Sequence, residues 1–168
     1  ERSLDPAICL NLARLTMVSK IANCLTMLRR NHSRPDDVAL WQLKQLGRKA
    51  SEAECLESLL GIEGTAARTY FNEFTGMLKP GGDDSLAFDL AGRNRRPPKD
   101  PINALLSFSY ALRAKDWVMT VASVGLDPLL GFYHQPRFGR PALALDLMED
   151  FRPIVADSVV IAAVNNAV

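Results

Sequence analysis

Histidine is nearly absent: His32 and His134 are the only two among 168 residues. Cysteine is scarce too, with Cys9, Cys24 and Cys55 and no Cys-x-x-Cys pair. Neither a Cys/His cluster nor HExxH is present, which excludes the usual zinc hydrolase. Each cysteine sits among apolar residues in a helical pattern, as reduced core thiols of a cytoplasmic protein would. The two Glu-x-x-His pairs of a ferritin-like di-iron bundle are missing. So are G-x-S-x-G, the P-loop and GxGxxG. No uninterrupted apolar run is long enough to span a membrane, and no signal peptide, internal repeat or low-complexity tract is found. Charge of one sign is lacking as well: 20 Lys and Arg against 19 Asp and Glu leave a net +1. That excludes a protein basic all over, so an anionic partner must be met by a local patch.

What is present is apolar material, 48% of the chain, enough for one domain with a real core. Glu1 opens a few residues before a helix, and the chain closes inside VVIAAVNNAV without a stop signal. Residues 1–168 are therefore expected to be one domain truncated at both ends. Asp-Pro occurs at 5–6, 100–101 and 127–128. Asp accepts hydrogen bonds from free N–H groups at a helix start, and Pro at the first position has no N–H to satisfy. Three such starts predict a helical architecture.

The first helix is expected over 5–30, with Leu10, Ala13, Met17, Ile21, Cys24 and Leu28 as its buried stripe. Lys20, Asn23 and Arg30 form a polar face, either solvated or set against a phosphate backbone. His32, a bland loop residue, Ser33 and Pro35 break the pattern. A second helix over 36–50 carries Val38, Trp41 and Leu46. Ser51 and Glu54 form a capping-box pattern, predicting a third helix to 78. Its stripe is Leu56, Leu59, Leu60, Ala66, Ala67 and Tyr70, with Glu63 in the middle. A carboxylate on an apolar face is costly without a partner, which predicts a buried Glu63 meeting a cation. Gly61 and Gly64 beside it would let another segment or a ligand approach.

Residues 79–98 read as a long loop whose end is basic, with Arg93, Arg95, Arg96 and Lys99. Such a run is either a solvated surface or a phosphate contact, for which Arg suits bidentate pairing. A helix to 124 follows, with Ile102, Leu105, Leu106, Ser109 and Leu112 toward the core. The stretch 125–153, GLDPLLGFYHQPRFGRPALALDLMEDFRP, then delivers His134, the basic pair Arg137 and Arg140, and Asp146 and Glu149 three residues apart. ALALDLMEDF is read as a helix, and Pro153 as the start of the last one. Glu63, His134 and Glu149, with Asp146 as neighbour or fourth ligand, make an O/N set for Mg²⁺ or Mn²⁺. The imidazole tilts the choice toward manganese. A hard cation beside an arginine-rich loop points to phosphodiester chemistry.

Three segments together, GIEGTAARTYF, RNRRPPKDPINALLSFSYALR and the 125–153 stretch, resemble the CRISPR-associated integrase family Cas-one. The first-helix segment with Lys20 and Asn23 is similar to it as well. The resemblance covers most of the chain, in order. It implies the all-α catalytic domain of that family, without its small N-terminal β-domain. Members act in spacer acquisition, an antiviral defence. As homodimers flanking the small partner Cas-two, they join prespacer DNA 3′-hydroxyls to phosphodiesters of the CRISPR repeat by transesterification. They also cleave DNA in a metal-dependent manner. Carried over residue by residue, the family's metal-binding and catalytic positions fall on Glu63, His134 and Glu149, and a second acidic position on Asp146. Arg137 takes a place where members carry a basic residue near DNA, and Tyr133 replaces a more usual aliphatic residue. Arg68, Arg93, Arg95, Arg96, Arg137 and Arg140 are candidates for DNA phosphate contacts. A non-catalytic structural or DNA-binding module of an adaptation complex is the alternative. A helical metalloenzyme acting on a small phosphorylated substrate is a third. No membrane partner is expected.

Overall fold

The computed structural model describes residues 5–79, 92–94, 97–135 and 137–166. Among them are α1 (Pro6–Asn31), α2 (Asp37–Ser51), α3 (Leu56–Asn72), α4 (Pro101–Ser123), α5 (Ala142–Met148) and α6 (Ser158–Asn165). A 3₁₀ turn, Phe74–Met77, follows α3, and a π-helical segment, Arg152–Asp157, runs into α6. No strand occurs among the described residues, in keeping with the all-α expectation.

Local chemistry explains two of the three expected starts. Asp5 Oδ1 accepts from the Ala7 and Ile8 amides at 2.8 and 3.3 Å, ahead of Pro6. Asp100 Oδ1 accepts from the Asn103 amide at 2.8 Å, ahead of Pro101. The third pair starts no helix: Asp127 Oδ1 accepts from the Leu129 amide at 2.9 Å, an Asx turn. The Ser51–Glu54 capping box does not form either. Ser51 ends α2, too far ahead of Leu56, where α3 starts, to cap it, and its Oγ donates to the Arg48 carbonyl at 2.6 Å. Instead Cys55 precedes α3, with no side-chain cap. It is exposed, not a core thiol, whereas Cys24 is buried as expected. α3 stops at Asn72, short of the expected 78. In the 3₁₀ turn that follows, Phe74 and Met77, three apart, eclipse and both turn inward.

α1 is the spine. Ala13, Met17, Ile21, Cys24, Met27 and Leu28 are buried along it and pack with Leu43 and Ala50 of α2 and Leu59, Ala66 and Tyr70 of α3. Tyr70, Phe71 and Phe74 close one end of this core, with ring centroids 5.2–5.9 Å apart. Burying each large side chain contributes about 1.5–3 kcal/mol, so Leu28→Ala would cost roughly 2–5 kcal/mol. By length and composition α1 could cross a membrane. Here its apolar stripe is core, and Lys20 at its middle is ion-paired.

Other expected apolar faces turn outward. Val38 and Trp41 are 57% and 62% exposed, while α2 buries Ala39, Leu43 and Ala50 instead. On α4, Ile102 and Leu106 are buried but Leu105 and Leu112 are not. Gly61 and Gly64 admit no neighbouring segment: among the described residues nothing lies within 4 Å of a Cβ built on either. His32 ends α1 structurally: its Nδ1 accepts from the Arg34 amide at 3.0 Å, and its ring packs over Gly76.

Candidate active site

The site begins with a turn held by one carboxylate. Asp146, on α5 and fully buried, accepts from the Phe132 and Tyr133 amides through Oδ2 at 2.7 and 2.9 Å, and from the His134 amide through Oδ1 at 2.9 Å. The same Oδ1 lies 2.5 Å from His134 Nδ1. A carboxylate has no proton to give, so Nδ1 carries the hydrogen, which in a neutral imidazole puts the lone pair on Nε2. Asp146 thus positions the histidine, as the neighbour that the sequence reading set beside a fourth ligand. Both of its oxygens are committed to the turn. Gly131 makes this possible, because a Cβ there would stand 2.6 Å from Asp146 Oδ2 and 2.7 Å from the Ala142 Cβ.

Glu63 and Glu149 face each other across a lysine. Lys20 Nζ is 2.6 Å from Glu63 Oε1 and 2.6 Å from Glu149 Oε2. Glu149 Oε1 pairs with Arg152 Nη2 at 3.1 Å and stands 4.0 Å from His134 Nε2. The Tyr133 hydroxyl donates to Glu63 Oε2 at 3.3 Å. Burial would push the Glu149 carboxyl up, but Lys20 and Arg152 outweigh it and hold the group down at about 2. Burial would likewise push the Lys20 ammonium down, and Glu149 and Glu63 outweigh it, so its pKa is raised. Tyr133 is pushed up by burial and by both glutamates, so its hydroxyl stays a donor. Asp150 rises to about 6 by burial and by Glu149.

Two carboxylates from separate elements and an imidazole with a lone pair suit a divalent cation in donor type. The two carboxylates already converge on one positive charge, the Lys20 ammonium. Glu149 Oε2 accepts no well-angled hydrogen bond there, so it is held by charge alone. No three of the acidic, histidine or cysteine side chains form a ready-made metal cluster among the described residues. Glu63 meets a cation as expected, but that cation is the protein's own.

Glu63, His134 and Glu149 line one cleft of about 850 Å³, with Arg137, Arg140 and Arg152 around it. Arg137 is exposed and Arg140 half-buried on its rim, and Arg68 is exposed one turn beyond Gly64 on α3. Arg93 points elsewhere: its Nη1 donates to Asn103 Oδ1 at 2.7 Å and its Nη2 to Ser107 Oγ at 3.2 Å, with Tyr110 under the guanidinium. It fastens the segment before α4. Arg95 and Arg96 lie outside the described residues.

Sequence reasoning missed Lys20 and Arg152. It placed Lys20 on a polar face, yet the residue is only 8% exposed. Its position three after Met17 and four before Cys24, on the apolar stripe, was the available signal. Asn23 from that same face donates to the Asp150 carbonyl at 2.7 Å, while Arg30 is exposed.

A family model described as CRISPR associated protein Cas1 matches residues 1–168. This chain belongs to the Cas1 family. It is 56% identical over 172 residues to a CRISPR-associated exonuclease Cas4/endonuclease Cas1 fusion of Geobacter sulfurreducens, covering 99% of this chain and 31% of that one. A solved partial Cas6-RT-Cas1–Cas2 complex contains a similar fold, at TM-score 0.85 and 32% identity, covering 98% of this chain and 48% of its counterpart. A casposase bound to integration product is similar at TM-score 0.79 and 25% identity, covering 98% and 45%. The chain spans less than half the length of each of these three. The helical architecture that the resemblance implied is the one observed.

Proposed function

We propose that this chain is the helical catalytic unit of a divalent-metal-dependent DNA endonuclease and integrase of CRISPR adaptation. One observation carries the reading: Glu63, His134 and Glu149, from three separate segments, meet in one cleft with arginines at its edge. In strand transfer, a prespacer 3′-hydroxyl oxygen forms a bond to a repeat phosphorus. The old P–O bond breaks and leaves a new 3′-hydroxyl on the repeat strand; with water as nucleophile the same step is cleavage. Mg²⁺ or Mn²⁺, held by Glu63, His134 and Glu149, would polarise the phosphoryl oxygen and help activate the attacking hydroxyl.

The chain's own residues do the rest. Asp146 fixes His134 with Nε2 toward the cleft. Arg152 keeps Glu149 ionised, and Arg137, Arg140 and Arg68 hold the DNA backbone. The partners in this reading are a second copy of the chain, Cas2, prespacer and repeat DNA, all within the cytoplasm. The names of the relatives support it: one is called an endonuclease fusion, one lies in a complex with Cas2, and one is bound to an integration product.

Lys20 favours a second reading, a DNA-binding module without turnover, because its ammonium already sits where the two carboxylates converge. The two separate in a strand-transfer assay with the full-length protein, its Cas2 partner, a prespacer with free 3′-hydroxyls and a supercoiled repeat plasmid. Joining in Mn²⁺ or Mg²⁺ that stops in EDTA and in Glu63→Ala supports catalysis. DNA binding without joining in either metal moves the chain to the second reading.

A further inference from the structure

We infer that Lys20 is a resident counter-cation, holding Glu63 and Glu149 together in the metal-free site and withdrawing into a cavity behind them when a divalent cation binds. This rests on the metal reading above and goes beyond it.

All four oxygens of the two glutamates are engaged. Lys20 meets Glu63 Oε1 and Glu149 Oε2, Tyr133 meets Glu63 Oε2, and Arg152 meets Glu149 Oε1. A metal bridging the two carboxylates would compete with the ammonium, the one group that touches both. Arg152 is held over the Tyr110 ring, 5.0 Å from its centroid. Tyr133 is tied by its backbone to Asp146. Lys20 reaches the site on a flexible four-carbon stem. Charge points the same way: two carboxylates balance Lys20 and Arg152, and adding a divalent cation to that set would bury uncompensated charge. With the ammonium withdrawn, the two carboxylates, Arg152, the divalent cation and one bound phosphodiester balance.

The place of withdrawal is present. Both glutamates line the open cleft, whereas Lys20 lines a small, partly open pocket of about 30 Å³ that shares Glu63 and Arg152 with the cleft and reaches Tyr70, Tyr110 and Asp157. That is room for about one water-sized group. Two acceptors face it. Asp157, 1% exposed, receives a hydrogen bond from the Tyr110 hydroxyl at 2.6 Å, and the buried Tyr70 hydroxyl stands beside it. An ammonium has three donors to offer them.

The test measures Mn²⁺ affinity by calorimetry, and melting temperature in EDTA and in Mn²⁺, on the full-length protein. Lys20→Met should bind Mn²⁺ at least about tenfold more tightly, because the competing cation is gone. It should melt lower in EDTA and recover with Mn²⁺. Asp157→Asn should bind Mn²⁺ several-fold more weakly, because the withdrawn ammonium loses its negatively charged partner, and this loss should vanish in the Lys20→Met background. A folded Lys20→Met with equal or weaker affinity overturns the inference. So does wild-type affinity in Asp157→Asn, which decides the matter if Lys20→Met fails to fold. Wild-type Mn²⁺ binding with unaltered variants sinks this inference alone. Binding by neither wild type nor variants sinks the metal reading with it.

Discussion

His134 Nδ1 lies 2.5 Å from Asp146 Oδ1, and the same carboxylate gathers the amides of residues 132–134. One side chain therefore sets both the path of the loop and the orientation of the imidazole. Asp146→Asn keeps the size but turns an amide N–H₂ toward N–H donors. Mn²⁺ affinity by calorimetry should fall by roughly 10- to 100-fold. Wild-type affinity in a folded Asp146→Asn would mean that the loop positions His134 unaided.

Gly131 and Gly61 should respond oppositely to alanine. At Gly131 a methyl would strike Asp146 Oδ2 at 2.6 Å and the Ala142 backbone carbon at 2.8 Å. Gly131→Ala should lose about 1–3 kcal/mol in urea denaturation. At Gly61 nothing lies within 4 Å, so Gly61→Ala should gain about 0.5–1 kcal/mol from helix propensity. A loss there would mean that another segment packs on this face in the full-length protein.

Asp157 gives the fold a pH dependence. Burial pushes its carboxyl from 3.8 up to about 6, despite the hydrogen bond from Tyr110. Its proton is bound more tightly in the folded state than in the unfolded one. The stability from this group is therefore complete below pH 3.8 and lost as pH rises through 6, a change on the order of 3 kcal/mol. Asp157→Asn removes that loss. The stability of Asp157→Asn relative to wild type should climb between pH 4 and 6 in parallel melting curves. A flat difference would show that Asp157 does not titrate in that window.

The arginines divide into two groups by what they touch. Arg137→Ala and Arg140→Ala should each weaken duplex binding and lower the slope of log affinity against log salt by about one, with melting temperature unchanged. Arg93→Ala should instead lower the melting temperature, because its guanidinium bridges Asn103 and Ser107. Equal salt slopes for wild type and the rim variants would remove them from the DNA interface.

The sequence by itself determined the helices and the identity of the acidic and imidazole groups. Asp-Pro caps and the 3.6-residue stripe of α1 act within a few residues, so they are legible locally. Even so, Asp127-Pro128 became a turn, although its carboxylate makes the same contact two residues on as Asp5 does, and Ser51 fell at the end of α2, short of the start of α3. The candidate metal ligands Glu63, His134 and Glu149 were legible as an oxygen and nitrogen donor set, and the family resemblance carried the same three positions. Only the tertiary structure decided which group each one faces. Lys20 meets a carboxylate 43 residues away, and Asn23 a carbonyl 127 residues away. No local pattern encodes such pairs. They exist because α1 crosses behind both α3 and the turn after α5, and a buried charge must find its opposite where the packing puts it.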